Sequence, residues 1–277
     1  MKRCAWFLVA LAACAGGDAK PPPQKPAAAA IAPAPPAQTQ HGELGLEPGE
    51  TMGFELELAG VTAGEAQLAV GQVGDQDGHK AIVVTSRAAT SGVAAMLKQV
   101  TDQSTTVIDA DTGRPLQLDT HVDTGGVVTT GHATFAGSVA TVTYSKQGDD
   151  HVTSYTVDFG QVPVHDTHSA MAELRGWHGA RGQQHSVYVV GGKRLWRIDV
   201  KVAGTESIDT QLGGRRRAVK LEGAAFHVKK TLELESAAPA RTFTVWLSDD
   251  ADRVPLKVTA KTELGDVGML LVDYNRP

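Results

Sequence analysis

Cysteine is nearly missing from this chain of 277 residues: Cys4 and Cys14 are the whole complement. Both fall in the first fourteen residues, so the chain beyond them has no disulfide and must be held by its core. Thiolate nucleophiles and cysteine-ligated metals are excluded there as well. Aromatic residues are scarce, at 5%, which argues against a stacking surface for carbohydrate or single-stranded nucleic acid. No apolar run approaches the ~20 residues that cross a bilayer as a helix. Positive charge is also short. The formal net charge is −5, and loss of Lys2 and Arg3 with a leader leaves 24 basic against 31 acidic side chains, a net of −7. A chain of that sign has no general attraction for nucleic acid or anionic lipid. Its densest basic run, Arg215-Arg216-Arg217, follows Gly213-Gly214 and reads as an exposed hairpin end.

What is present starts with a basic n-region, Met1-Lys2-Arg3, and a short apolar h-region, Ala5 to Ala13. Together they read as a secretory signal. Leu11-Ala12-Ala13-Cys14 resembles the bacterial lipobox, whose cysteine is acylated and becomes the mature N-terminus. Ala15 follows, not Asp, which resembles sorting to the outer membrane. From Ala15 to about Gln40 the composition is mostly Ala, Pro, Gly and Gln, which cannot bury a core and suits a semi-extended tether. The expected organisation is a lipoprotein signal peptide over 1–13, a tether over 14–47 and an antiparallel β domain over 48–277. The expected location is the periplasmic or surface face of an outer membrane, with the lipid on Cys14.

Strand patterning fills the rest. The stretch from Arg241 to Tyr274 sets the theme, with Phe243, Val245 and Leu247 alternating with Thr242, Thr244 and Trp246. Ser248 to Asp252 is a polar break. Val254, Leu256, Val258 and Ala260 resume the alternation, and Gly265-Asp266 reads as a two-residue hairpin turn. Similar runs occupy 54–58, 66–70, 81–84, 105–108, 116–122, 127–135, 139–144, 187–190, 195–202, 208–212, 218–221 and 231–234. Two segments have helical spacing instead: Ser91 to Lys98, and Asp166 to Arg175 with Asp166 as N-cap. The fold class is therefore mainly β, a large antiparallel sheet curled into an open or closed barrel-like structure with two short helices.

Three pieces of the chain are similar, in order and spread, to the bacterial family designated domain of unknown function 3108. They are Phe54 to Gly60 with Ala63-Gly64-Glu65-Ala66, then Asp166-Thr167-His168-Ser169-Ala170 with Leu174-Arg175, then Val245-Trp246-Leu247-Ser248-Asp249-Asp250 with Arg253 and Pro255. The resemblance covers roughly 48–274 and implies an exported, β-rich envelope protein. It carries over no catalytic residue.

Several groups invite chemistry. His165, Asp166 and His168, with His178 and His185 nearby, are the densest potential metal ligands, but their spacing gives no shared face, so no metal or other cofactor is expected. Asp166, His168 and Ser169 suggest a triad, yet neighbours in sequence rarely form one and no nucleophile-elbow motif is present. Asp249, Asp250 and Arg253 could be an acid–base pair with a cationic clamp; the expectation is that the acids bond the turn backbone and that Arg253 offsets their charge. Asp75, Asp77 and Gly78 lack the later acid of a calcium loop. Trp177, Trp196 and Trp246 read as core or rim anchors. The expected function is non-catalytic: a lipid-anchored envelope protein that binds a hydrophobic ligand or assists envelope assembly, with no nucleic-acid partner. The alternatives are a periplasmic hydrolase using Asp249/Asp250 or the His165/His168 group, and a structural envelope protein acting through a partner.

Overall fold

A computed structural model describes residues 44–192, 194–262 and 265–277. Cys14, the leader and most of the tether lie outside the described residues. The chain forms β1 (Thr51–Leu58), β2 (Val61–Val70), β3 (Gly74–Gln76), β4 (His79–Thr90), α1 (Gly92–Leu97), β5 (Val100–Asp109), β6 (Pro115–Thr124), β7 (Val127–Ala136), β8 (Val139–Lys146) and β9 (Thr153–Asp158). It continues with β10 (Val164–His165), α2 (Thr167–Gly176), β11 (Gln184–Gly191), β12 (Arg194–Asp209), β13 (Arg215–Val228), β14 (Arg241–Ser248), β15 (Pro255–Thr262) and β16 (Gly265–Asn275).

All sixteen strands belong to one sheet, in the order β10-β11-β12-β13-β14-β15-β16-β1-β2-β4-β5-β6-β7-β8-β9, with β3 beside β4. Every pairing is antiparallel except the two-residue β10–β11 contact. The pairing of β1 with β16 joins the first strand to the last and unites the N- and C-terminal hairpins. Hydrogen bonding does not close the sheet, because β9 and β10 are its edges. Side chains bring those edge regions together: Tyr155 and Val157 of β9 pack in one cluster with Val164 of β10, Val190 of β11 and Leu195 of β12. The Tyr155 hydroxyl donates to the Gly192 carbonyl at 3.0 Å. The result is an open, barrel-like sheet whose two edge regions pack against each other.

Alternation decides what faces inward. Met52, Phe54 and Leu56 are buried on β1, as are Ile82 and Val84 on β4, and these join Ile108, Leu256 and Leu271 in a central cluster. A second cluster gathers Val187, Trp196, Ile198, Leu221 and Phe243. The inner face is lined by side chains that pack on one another in these clusters. Gly223 explains one detail of the fit: a Cβ there would lie 2.1 Å from the ring of Phe243, its cross-strand partner, so the ring occupies the space glycine leaves.

Several boundaries differ from the sequence expectation. The segments at 195–202 and 208–212 are not separate strands: β12 runs unbroken to Asp209, with a register shift between Val202 and Gly204 that bends it. The 231–234 segment is not a strand, and Leu234 makes only an isolated bridge to Val228. Gly265 begins β16 opposite Thr262 and Asp266 pairs with Lys261, so Gly265-Asp266 belongs to the strand and is not the hairpin turn. The first hairpin turns at Ala59-Gly60, both at positive φ, and Val61 already pairs with Leu58. Strand β9 has Thr153, Ser154, Thr156 and Asp158 exposed and only Tyr155 and Val157 buried, so its sequence does not stand out as a strand.

The antiparallel register sorts the connections onto two rims. The entry segment at 44–50, the turns β5–β6, β7–β8, β12–β13 and β14–β15, and the end of β16 share one rim. The turns β1–β2, β6–β7 and β8–β9, together with α1, share the other. Helix α2 packs against β5, β10 and β11 and meets the entry segment at Gly45, whose close approach to the Ala172 carbonyl leaves no space for a Cβ.

Candidate functional site

Helix α2 carries the potentially reactive residues because its N-terminus is tied twice. The Asp166 carboxylate accepts from the Ser169 amide at 3.0 Å and from the His168 amide at 3.1 Å. Ser169 Oγ accepts from the Asp166 amide at 3.0 Å, completing a capping box. The Thr106 hydroxyl of β5 donates to Asp166 as well, and Thr106 Oγ1 lies 2.7 Å from His168 Nδ1. Thr106 has one proton and gives it to Asp166, so His168 Nδ1 is the donor in that contact. Burial lowers the His168 pKa against the opposing pull of Asp166, which keeps the ring neutral. Its Nε2 is then the acceptor for the Ser86 hydroxyl at 2.8 Å. His168 thus bridges β4, β5 and α2.

This geometry separates the residues that the sequence placed side by side. Ser169 bonds Asp166 and forms no bond with His168. The serine on His168 is Ser86, eighty-two positions away. Ser86 with His168 superficially resembles a nucleophile and its base, but no described depression reaches Ser86 and His168 is only 4% exposed. His165 is buried on β10 with Nδ1 lacking a partner. Burial, only partly countered by Glu173 and Asp166, drives its pKa down to about 4. His185 bonds Glu173 at 3.0 Å and stacks on Trp177, while His178 points to solvent. Among the described residues no three His, Cys, Asp or Glu side chains are placed to hold a metal ion.

The C-terminal end of α2 supports the second polar group. Arg175, 3% exposed, donates through Nη1 and Nη2 to both oxygens of fully buried Glu50, at 2.6 and 3.1 Å. Its Nη2 also donates to the Asp252 carbonyl at 2.9 Å, and the Tyr274 hydroxyl donates to Glu50 at 3.3 Å. One ion pair therefore locks the entry segment, α2, the β14–β15 turn and β16. In that turn Asp250 accepts from the Ser248 hydroxyl at 2.6 Å and from the amides of Asp252 and Arg253 at 3.2 Å. Asp249 pairs with Arg217 of the basic triplet at 2.8 Å. The two acids bond different partners. Arg253 adopts positive φ and is buried, with Nε and Nη2 unbonded. Burial lowers its pKa against the pull of Asp249 and Asp250. Its offset of the acids is through space, and the hydrogen-bonded cation on Asp249 is Arg217.

Of the other candidates, Asp75 closes the β3–β4 turn by accepting from the Gly78 amide at 3.2 Å. Trp177 and Trp196 are buried, and Trp246 lies on the outer face, donating to Glu206 at 2.6 Å between Lys220 and Lys257. Three groups escape sequence reasoning. Glu50 and Arg175 lie 125 positions apart, so no local pattern links them. Asp102 is the third: alternation on β5 turns Asp102, Ser104 and Thr106 inward between Val100 and Ile108. Burial pushes its carboxyl up to about 7, and Oδ1 has no partner. A polar phase at 102, 104 and 106 inside an apolar frame was the available signal.

The described depression lies elsewhere. It spans about 370 Å³ against β5 to β8, where register brings Gln103, Thr105, Asp119, His121, Thr130 and His132 together. Partial burial raises Asp119, but bonds from Gln117 and His132 outweigh it and hold the carboxyl below its ordinary range. An acid held ionised beside hydroxyls and amides can hydrogen-bond a ligand but cannot donate a proton as a general acid.

The model of the family described as a protein of unknown function (DUF3108) matches residues 53–272. The chain belongs to that family. No curated protein matches this DUF3108 chain. Its fold is shared with the crystal structure of a β-barrel-like protein of domain of unknown function DUF1849 from Brucella abortus, at TM-score 0.54 and 15% identity over 83% of this chain and 98% of that one. Two structures are similar at lower TM-scores. A presumed exported protein with YmcC-like fold from Bacteroides fragilis gives 0.37 at 9% identity over 85% and 100% of the two chains. A presumed lipoprotein from Parabacteroides distasonis gives 0.35 at 10% identity over the same shares. The DUF3108 segments at 166–175 and 245–255, recognisable in the sequence, meet where Arg175 bonds the Asp252 carbonyl.

Proposed function

We propose that this DUF3108 protein is an exported, lipid-anchored envelope protein that acts without catalysis, through its outer surfaces. The lipobox at Cys14 supports the anchor. One observation carries the non-catalytic reading: Asp166, His168 and Arg175 of α2 are buried, and their hydrogen bonds are spent on joining β4, β5, the entry segment and the β14–β15 turn. The inward-facing apolar side chains pack on one another in three clusters. Apolar contacts, with lipid or with an assembly partner, therefore belong to the outside.

The hydrolase reading has one concrete form, Ser86 as nucleophile with His168 as base. A fluorophosphonate probe of reactive serines tests it: no label is expected on Ser86, and labelling abolished by His168→Asn would overturn the non-catalytic assignment. Mass spectrometry of the membrane fraction tests the anchor. A mature chain starting at diacylated Cys14 is expected, and an unmodified N-terminus elsewhere contradicts it.

A further inference from the structure

Large apolar side chains left in solvent are unevenly distributed on this molecule. Val61, Val93, Met96, Leu97, Val127 and Val152 are 65%, 68%, 87%, 83%, 41% and 66% exposed. These six lie on the α1 rim, on the connections β1–β2, α1, β6–β7 and β8–β9, and include the five most exposed of the nine such side chains among the described residues; Val73, Val83 and Val272, at 49%, 39% and 41%, lie elsewhere. Backbone bonds tie these connections side by side. The Ser91 amide donates to Ala63, Gly125 to Gln99, and Gln147 to Val128, at 3.0, 2.9 and 2.8 Å. The exposed residues thus form one row along the rim. Soluble proteins seldom leave such a row uncovered, and it marks a contact surface.

We infer that this rim rests on a lipid bilayer, with α1 dipping its Val93, Met96 and Leu97 side chains among the acyl chains. Helix α1 suits that role because it has no buried residue and no side-chain cap, so nothing in the fold explains three apolar residues there. The occupant follows from the anchor proposed at Cys14, on which this inference rests. The 30 residues from Cys14 to Glu43 can span at most ~100 Å. The longest strand between the entry rim and the α1 rim, β12, has 16 residues, or ~53 Å. An anchor at the entry end therefore leaves enough chain to bring the opposite rim down onto the same membrane, where the bilayer is already at high local concentration. Charges near the row are of both signs, Lys98 and Lys146 beside Asp149 and Asp150, so anionic headgroups are not required and apolar insertion carries the contact.

The test places one cysteine in the full chain carrying Cys4→Ser and Cys14→Ser, so that no anchor can form. Leu97→Cys, and separately Thr141→Cys on the exposed outer face of β8, are labelled with a polarity-sensitive fluorophore. Each is mixed with phosphatidylcholine and phosphatidylethanolamine vesicles. At position 97 a blue shift is expected, with quenching by brominated acyl chains, unaffected by 0.5 M salt (a concentration at which the Debye length is only a few ångströms). At 141 no shift is expected. Adding Val93→Ser and Met96→Ser should lower the lipid-bound fraction about tenfold. No shift at 97, an equal shift at 141, or loss of the signal in salt overturns the inference. A shift at 97 that needs no vesicles and grows with protein concentration would overturn it in favour of self-association. Because these chains lack Cys14, the rim can fail while mass spectrometry still finds the anchor, and the reverse.

Discussion

The two helices of this barrel are both short and both interrupt a sheet, yet they play opposite parts. Helix α2 has a complete capping box, five buried residues and an ion pair at its far end that reaches the entry segment. Helix α1 has no side-chain cap, no buried residue and three apolar side chains in solvent. Isolated helices of this length are unstable in water, so each must be held from outside. Packing and buried polar bonds hold α2; α1 is held by its ends, at Thr90 and the Ala63 carbonyl. In this chain, then, the chemically richest segment is the one most tied into the fold, and the plainest apolar segment is the least.

The largest expected effect is at the foot of α2. Arg175→Met leaves the Glu50 carboxylate buried without its cation and should lower stability by about 3–5 kcal/mol. The double variant with Glu50→Leu should recover much of that loss in denaturant melts, since it removes the orphaned charge.

Asp102→Asn should act in the other direction. With the folded-state pKa raised to about 7, the native carboxyl keeps a proton that the unfolded chain has lost. Stability therefore falls as pH rises from about 4 to 7, and the whole cost is present above that window. The amide removes it, so a gain on the order of 2–4 kcal/mol is expected at pH 8 and almost none at pH 4. His165 works oppositely: its lowered pKa means that stability declines as pH falls from 6.5 towards about 4. Melting at several pH values separates the two slopes.

A smaller effect belongs to the β14–β15 turn. Asp250→Ala loses bonds to Ser248 and to two amides and should cost about 1–2 kcal/mol. An unchanged or raised midpoint would indicate a strained functional acid instead. Least of all, Leu97→Ser should shift stability by no more than ~0.5 kcal/mol, because α1 buries nothing.

Much of this was legible in advance. Alternation at Phe54, Leu56 and Leu58, at Val254 to Ala260, and at Val187 to Val190 marks strands wherever one face is buried, and both helices stand at their expected places. Strand β9 and the long β12 were not legible. In β9 only Tyr155 and Val157 face inward, and in β12 a bulge interrupts the period without ending the strand. Asp166 announces its cap, because capping is local. The bonds from His168 to Ser86, from Arg175 to Glu50 and from Asp249 to Arg217 join positions 82, 125 and 32 apart, and sheet order alone brings them together. Asp102 was visible only as a polar residue in the buried phase of a strand.

Native-state hydrogen exchange compares the two helices in one experiment. The amides of 170–176 in α2 should exchange only through near-global opening, with protection close to that of β4 and β5, and those of 94–98 at α1 should exchange by local fraying, orders of magnitude faster. Arg175→Met should then abolish the α2 protection and leave α1 unchanged. If α2 exchanges as fast as α1 in the native protein, its polar network does not hold the barrel together, and the case for reading these residues as architecture rather than chemistry is lost.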